Sequence, residues 1–280
     1  MLSYLHAFHA GNHADVLKHC VLTLVLEYLA GKDKPFLYVD THAGAGRYDL
    51  RADRTALTRE YERGIARIWQ QGADAPAAMQ RYLQLIRDLN PAGELHRYPG
   101  SPWIARSLLR AQDRARLFEL HPNEYQQLRT LFAGSRQIRT EQGDGFLALR
   151  AVLPPAERRA VILVDPPYEV KSDYQTVVQA VTAAQRKFPT GVYLVWYPVL
   201  TRKQASRLES DMVRSGMRNI LLAELTLCAD TQHAGMTGSG MMIINPPWQL
   251  GAALETVLAY LRQALAGEGG RYRVQQLVEQ

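Results

Sequence analysis

The chain has 280 residues and carries 33 Lys and Arg against 27 Asp and Glu, a formal charge of +6. That length suits one large α/β domain or a domain with an insertion, and the basic balance favours a polyanionic partner, since neutralising phosphates drives non-specific nucleic-acid binding. No apolar run is long enough to cross a bilayer, Met1 to His9 lacks the basic head and apolar centre of a signal peptide, and Cys20 and Cys228 make no disulfide framework, so a reducing cytoplasm is expected.

Asn12 is a candidate helix cap, with Asp15 in the first turn, where a carboxylate favours the N-terminus. Val16, Leu17, Cys20, Val21, Leu24, Val25 and Tyr28 recur at helical spacing, and Gly31 ends the pattern. A strand follows from Phe36 to Val39 and ends on Asp40. Thr41 to Tyr48 then reads T-H-A-G-A-G-R-Y, in which Gly44 and Gly46 let the backbone come close to a ligand. A dinucleotide fingerprint needs a third glycine and an acid about 20 residues on, after a second strand. Neither is present, which argues against an NAD-dependent oxidoreductase. Thr58 to Gln71 and Pro76 to Leu89 have helical spacing instead, so residues 50–100 are expected to be a helical insertion. It could be a plain pair of packing helices or a device for substrate choice.

Ser101 before Pro102 reads as a cap and a first helical position. A short strand from Arg116 to Leu120 follows, with Glu119 near its end, then a helix from Pro122 to Phe132. Gln137 to Thr140 is the third strand, leading to Asp144, Gly145 and a helix through Val152. Val161 to Val164 is the fourth, an unbroken apolar run of the kind buried on both faces of a parallel sheet. A helix from Asp173 to Lys187, a strand from Gly191 to Tyr197, a helix from Arg202 to Ser215 and a strand from Ile220 to Leu227 come next. A Gly-rich loop from Ala234 to Gly240 leads to the seventh strand, Met241 to Asn245. The fold class is therefore α/β, a seven-stranded, mostly parallel sheet with a small helical insertion, divided as 1–49, 50–100 and 101–280.

The chemistry concentrates after the fourth strand, in D-P-P-Y-E, Asp165 to Glu169. The two prolines cannot donate to a ladder, so a carboxylate, a stiff turn and an aromatic project from the C-terminal sheet edge, where open α/β sheets bind ligands. An exocyclic base amine is a poor nucleophile because its lone pair is delocalised into the ring. Asp165 and the Pro166 carbonyl can accept its two N–H groups, and Tyr168 can stack on the base. This is the pattern of adenine and cytosine amino-methyltransferases; the plain alternative is a strand end with Asp165 capping the next helix. Asn245-Pro246-Pro247-Trp248 fits the same pattern. Too few residues follow it for the three strands that should come after a catalytic fourth strand, so Asn245 is expected to close the last strand.

Acids stand at successive strand ends: Asp40, Glu119, Asp144 and Asp165. A cofactor lying across the sheet edge explains them together, whereas helix capping explains each singly. Glu119 would take the ribose hydroxyls, Asp144 the adenine amine, and the loop at Gly44 the amino-acid half. That cofactor would be S-adenosylmethionine.

Several motifs together resemble the RlmJ family of 23S ribosomal RNA adenine-N6 methyltransferases. They are H-A-G-N-H-A-D-V-L-K-H from His9 to His19, D-T-H-A-G-A-G-R-Y from Asp40, Y-P-G-S-P from Tyr98, F-E-L-H-P from Phe118, Asp144-Gly145, D-P-P-Y-E, and the stretch from Gly238 to Trp248. The resemblance covers essentially the whole chain. It implies a Rossmann-like S-adenosylmethionine-dependent methyltransferase domain with an inserted helical subdomain. It implies cofactor contacts at Lys18, His19, His42, Ser101, Glu119, Asp144, Gly145 and Asp165, target contacts at Tyr4 and His6, and Asp165 as the catalytic acceptor. It implies 23S ribosomal RNA as the partner of a monomer, with no membrane and no obligatory protein partner.

His6, His9, His13 and His19 could also be read as metal ligands. No carboxylate completes a known pattern and in-line methyl transfer needs no metal, so no metal is expected. Two rivals share the pattern: a DNA adenine methyltransferase, and an RNA-binding protein on a dead methyltransferase fold, against which the intact D-P-P-Y speaks.

Overall fold

The computed structural model describes residues 5–170, 172–228 and 235–280. The strands are β1 (Leu37–Asp40), β2 (Arg47–Asp49), β3 (Arg97–Pro99), β4 (Arg114–Glu119), β5 (Ile138–Gln142), β6 (Ala160–Val164), β7 (Val192–Val199), β8 (Ile220–Thr226), β9 (Gly238–Ile244) and β10 (Arg271–Val278). The helices are α1 (His13–Ala30), α2 (Asp53–Thr58), α3 (Ile65–Gln70), α4 (Ala77–Leu89), α5 (Ser101–Leu108), α6 (Pro122–Leu131), α7 (Gly145–Val152), α8 (Ser172–Lys187), α9 (Arg202–Arg214) and α10 (Leu250–Leu265).

β1 and β6 are buried at every residue, as apolar runs covered on both faces must be. Alternation along β6 feeds two cores. Val161 and Leu163 pack with residues of α1, α5 and α10, while Ile162 and Val164 pack with Val177 and Val181 of α8 and Leu208 and Met212 of α9. The strand order is β10-β8-β9-β7-β6-β1-β4-β5. β5, β4, β1, β6 and β7 are mutually parallel, and β9 runs against both β7 and β8. From β1 the chain continues outward to β4 and β5, then returns to β6 on the other side. The crevice between the C-terminal ends of β1 and β6 is thus the switch point at which such sheets bind ligands.

The sheet has eight strands rather than seven. β10 pairs antiparallel with β8 and extends the edge, and α10 precedes it. β10 is half-exposed along its length, so its apolar residues form no buried run that a sequence would show. Asn245 closes β9, not the last strand. Because β9 is antiparallel, Ile244 lies opposite Tyr193 at the start of β7. The second Pro-Pro motif is therefore at the opposite sheet edge from Asp165, where Asn245 donates to the carbonyls of Pro189 and Gly191.

Asn12 caps α1, accepting from the amides of Ala14 and Asp15. Ser101 does not cap α5: Gly100 holds that position, and the Ser101 hydroxyl donates to Asp40 instead. The single helix expected from Thr58 to Gln71 does not form: α2 ends at Thr58, and a 3-10 turn at Glu60–Arg63 and α3 follow. The breaks fall at Arg59, with φ of 50°, and at Gly64, where an added Cβ would lie 2.2 Å from the Gly11 carbonyl. Packing against the start of α1 decides that geometry, not local propensity. β2 and β3 pair antiparallel, Arg47 opposite Pro99 and Asp49 opposite Arg97, at the stem of this segment.

Candidate active site at the sheet edge

Asp165 follows the last residue of β6, is 13% exposed and lies at the switch point. α1 runs beneath the same edge and brings three residues to it from one helical face, Asp15, Lys18 and His19. Lys18 Nζ lies 2.6 Å from Asp165 Oδ2 and 2.9 Å from Asp15 Oδ1, bridging two carboxylates. Asp15, 1% exposed, also takes the Gly11 amide and His6 Nε2, each at 2.9 Å on Oδ2. Burial pushes the Asp15 carboxyl up, but His6, Lys18 and His19 together hold it well below the usual carboxylate range. Burial alone would lower Lys18; Asp15 and Asp165 raise it above its ordinary value instead. Asp165 is raised, because burial outweighs the opposing pull of Lys18.

These groups open on a cavity of about 440 Å³, a size that suits a nucleotide-like ligand. Of the residues expected there, His6, Lys18, His19, His42, Gly44, Ser101, Glu119, Asp144, Gly145, Asp165 and Pro166 line it. A wider cleft of about 740 Å³ lies at the N-terminal ends of β4 and β5, among arginines, and holds none of the strand-end acids.

The acids are already partly engaged. Glu119 Oε2 accepts from Gly44 N and Oε1 from His121 N, both at 2.7 Å, while burial keeps its carboxyl raised. Asp144 caps α7, taking the amides of Phe146 and Leu147 on Oδ1. Asp40 lies beneath the cavity rather than on its wall. Burial pushes it to about 6 although Ser101 and Tyr38 donate to it, each at 2.7 Å. Gly44 sits at φ of 60°, and an added Cβ would meet the Tyr48 hydroxyl at 2.3 Å. At Gly145 an added Cβ would lie 2.0 Å from the Thr41 carbonyl, so α7 packs directly on the loop after β1.

One expectation changes here. Tyr168, given the role of stacking on a base, does not line the cavity. It is 6% exposed, packs against Tyr174 and Trp196, and donates its hydroxyl to the Trp196 carbonyl at 2.7 Å. With φ of 51°, it braces the Pro-Pro turn from behind. Three of the four N-terminal histidines take separate partners, His6 with Asp15, His9 with Glu60 and His19 with Tyr98, while His13 is buried and pushed by that burial to about 4. Among the described residues, no group of three or more potential ligands could hold a metal. Tyr4 lies outside the described residues.

Sequence reasoning missed Asp15 as the organiser of this cluster, and His121, Glu124 and Phe146 on the cavity wall. His121 Nδ1 and Glu124 Oε2 are buried and have no hydrogen-bond partner among the described residues. His121 lies two residues after Glu119 and Glu124 in the first turn of α6, so their proximity to the strand end was available as a signal. Phe146, edge-on to His42, follows Asp144-Gly145 in the same way.

Residues 33–278 match the family described as "RsmJ: Ribosomal RNA large subunit methyltransferase D, RlmJ". The chain is 52% identical over 269 residues to Ribosomal RNA large subunit methyltransferase J of Escherichia coli (strain K12), covering 96% of each. It is 49% identical over 270 residues to the Haemophilus influenzae Rd protein of the same name, again covering 96% of each. Among solved structures it is similar to that of protein LPL1258 from Legionella pneumophila str. Philadelphia 1, with a TM-score of 0.90, 38% identity, and coverage of 96% of this chain and 98% of that one.

Proposed function

The chain belongs to the RlmJ family of ribosomal RNA large subunit methyltransferases, and on that premise we propose that it methylates the N6 amine of an adenosine in 23S ribosomal RNA, in the cytoplasm, with S-adenosylmethionine as donor. The observation that carries the reading is Asp165, held at the switch point by Lys18 with Pro166 beside it.

The cavity's donors and acceptors fit that cofactor. Glu119 offers a carboxylate to the ribose hydroxyls, and Asp144 keeps Oδ2 for the adenine amine. The Gly44 loop leaves room for close backbone approach, and His19 and the third N–H of Lys18 face the amino-acid end. The orphaned polar atoms of His121 and Glu124 mark a wall suited to a polar ligand. When bound, the cofactor supplies an electrophilic methyl group on a sulfonium.

The remaining work falls to this chain. The target adenosine must leave its stack, at a cost of a few kcal/mol. Lys18 fixes the Asp165 carboxylate through Oδ2, and among the described residues Oδ1 has no hydrogen-bond partner. Oδ1 and the Pro166 carbonyl are then the two acceptors for the amine N–H groups. They orient the nitrogen lone pair and stabilise the positive charge that develops on it. Tyr168 contributes by holding the turn rigid. Arg51, Arg59, Arg63 and Arg97, exposed on residues 50–100, offer positive charge for RNA phosphates.

Incubation with labelled S-adenosylmethionine and in vitro transcribed 23S RNA, followed by nucleoside analysis, should yield N6-methyladenosine. Label in a cytidine, in ribose or preferentially in duplex DNA would overturn the assignment.

A further inference from the structure

His19 is neutral under ordinary conditions, because burial pushes its imidazole to about 3. One ring nitrogen therefore carries a proton and the other a lone pair, and the neighbours decide which. Nδ1 lies 2.8 Å from the Tyr98 hydroxyl, and that hydroxyl lies 2.9 Å from the hydroxyl of Tyr82. Both tyrosines are fully buried. Tyr82 belongs to α4 and Tyr98 to β3, so this chain of hydroxyls enters the cavity wall from within the segment 50–100.

We propose that Tyr98 and Tyr82 act as positioning residues that hold His19 in its Nε2–H form, so that the ring presents a donor to the carboxylate of the methyl donor. Two observations set the direction. If Tyr82 donates to Tyr98 and Tyr98 donates to Nδ1, each hydroxyl proton has an acceptor. In the reverse direction the Tyr82 proton has none, since Tyr82 makes no other hydrogen bond among the described residues. Moreover Nε2 lies 4.0 Å from the Asp15 carboxylate, which favours an N–H there and disfavours a lone pair. The segment carrying Tyr82 and Tyr98 thus prepares the cofactor cavity. The inference rests on reading the cavity as the cofactor site.

Nitrogen-15 imidazole spectra of the full chain test the tautomer without cofactor, and titration calorimetry with S-adenosylhomocysteine tests its use. Wild type should show Nδ1 unprotonated and Nε2 protonated. Tyr98→Phe should populate the other tautomer and weaken affinity about tenfold, the scale of one hydrogen bond to a charged group. It should raise KM for the donor more than it lowers kcat. Tyr82→Phe leaves the bond to His19 in place and should weaken affinity only about twofold. An Nδ1–H wild-type ring overturns the proposal, as does an effect of Tyr82→Phe equal to or larger than that of Tyr98→Phe. If Tyr98→Phe does not fold, the wild-type spectrum decides. His19→Ala separates the two levels. Unchanged affinity there removes His19 from the cofactor site. Weakened affinity there, with tautomer and affinity unmoved in Tyr98→Phe, removes the tyrosines instead.

Discussion

Lys18 sits between two carboxylates that are 1% and 13% exposed, so its removal should be felt twice. Lys18→Met leaves both acids without their cation, and breaking a buried pair on one side costs about 3–5 kcal/mol. Thermal unfolding should show that loss. The variant should also shift activity with pH. Lys18 lowers the pKa of Asp165, so without it Asp165 stays protonated to higher pH and the acid limb of the rate profile should move up. An unmoved limb would mean that Asp165 ionisation does not control the rate. Asp165→Ala removes the acceptor itself and should cut single-turnover methyl transfer by about 10²–10³-fold or more. The fold should survive, because Lys18 keeps Asp15 as a partner. Asp165→Asn retains an acceptor oxygen without the charge and should fall between Ala and wild type. Near-normal chemistry in folded Asp165→Ala would place the catalytic centre elsewhere.

At the scale of elements, the cavity exists because helix starts meet strand ends at van der Waals distance. α7 begins on Gly145 against the Thr41 carbonyl, and nothing larger than hydrogen fits between them. Gly145→Ala must push α7 and the capping Asp144 away from β1, an overpacking cost of about 1–3 kcal/mol. The melting temperature and affinity for S-adenosylhomocysteine should fall together; full affinity would show that Asp144 does not bind cofactor. Asn12 works similarly at the start of α1, capping two amides while its Nδ2 donates to Glu60 in the 3-10 turn. Asn12→Ala should cost about 1 kcal/mol as a lost cap.

The whole molecule responds to pH through groups it hides. Burial pushes His13, His19 and His42 to about 4, 3 and 4, so the folded chain keeps them neutral. In the unfolded chain they titrate near 6.5. As pH falls through that value, the unfolded state binds protons that the folded state refuses, and stability declines. His9, raised mainly by its hydrogen bond to Glu60, opposes this as one group against three. Raised carboxyls oppose it further down, Asp40 with its value near 6 among them. The melting temperature should therefore drop between about pH 7.5 and 6; a flat profile there would mean that these histidines are solvated. With its +6 charge, the molecule should also bind RNA with strong salt dependence, the log–log slope gaining about 0.7 per phosphate neutralised on a single strand. A slope near zero would remove the electrostatic argument for an RNA partner.

The sequence alone determined the central strands, the cap of α1 and the set of acids at the sheet edge. Each is a local property: an unbroken apolar run, a side chain two or three residues from the amides it accepts, an acid where a hydrophobic run stops. Through motif resemblance it also named Asp165 and most of the residues that line the cavity beside it. Only the tertiary structure decided what depends on residues distant in the chain. Asp15 looked like a dipole-compensating residue and became the buried anchor of His6 and Lys18. Ser101 looked like a cap and became a donor to Asp40, and Tyr168 looked like a stacking platform and became a brace bonded to Trp196. The broken helix after Thr58 and the eighth strand have the same origin. Gly64 yields to the backbone of Gly11, and β10 is stabilised by a ladder to β8, its own alternation running only from Arg271 to Gln275 before a register shift between Gln276 and Val278. Local pattern specifies which backbone forms; the direction a polar side chain takes is set by the partner that satisfies it when buried.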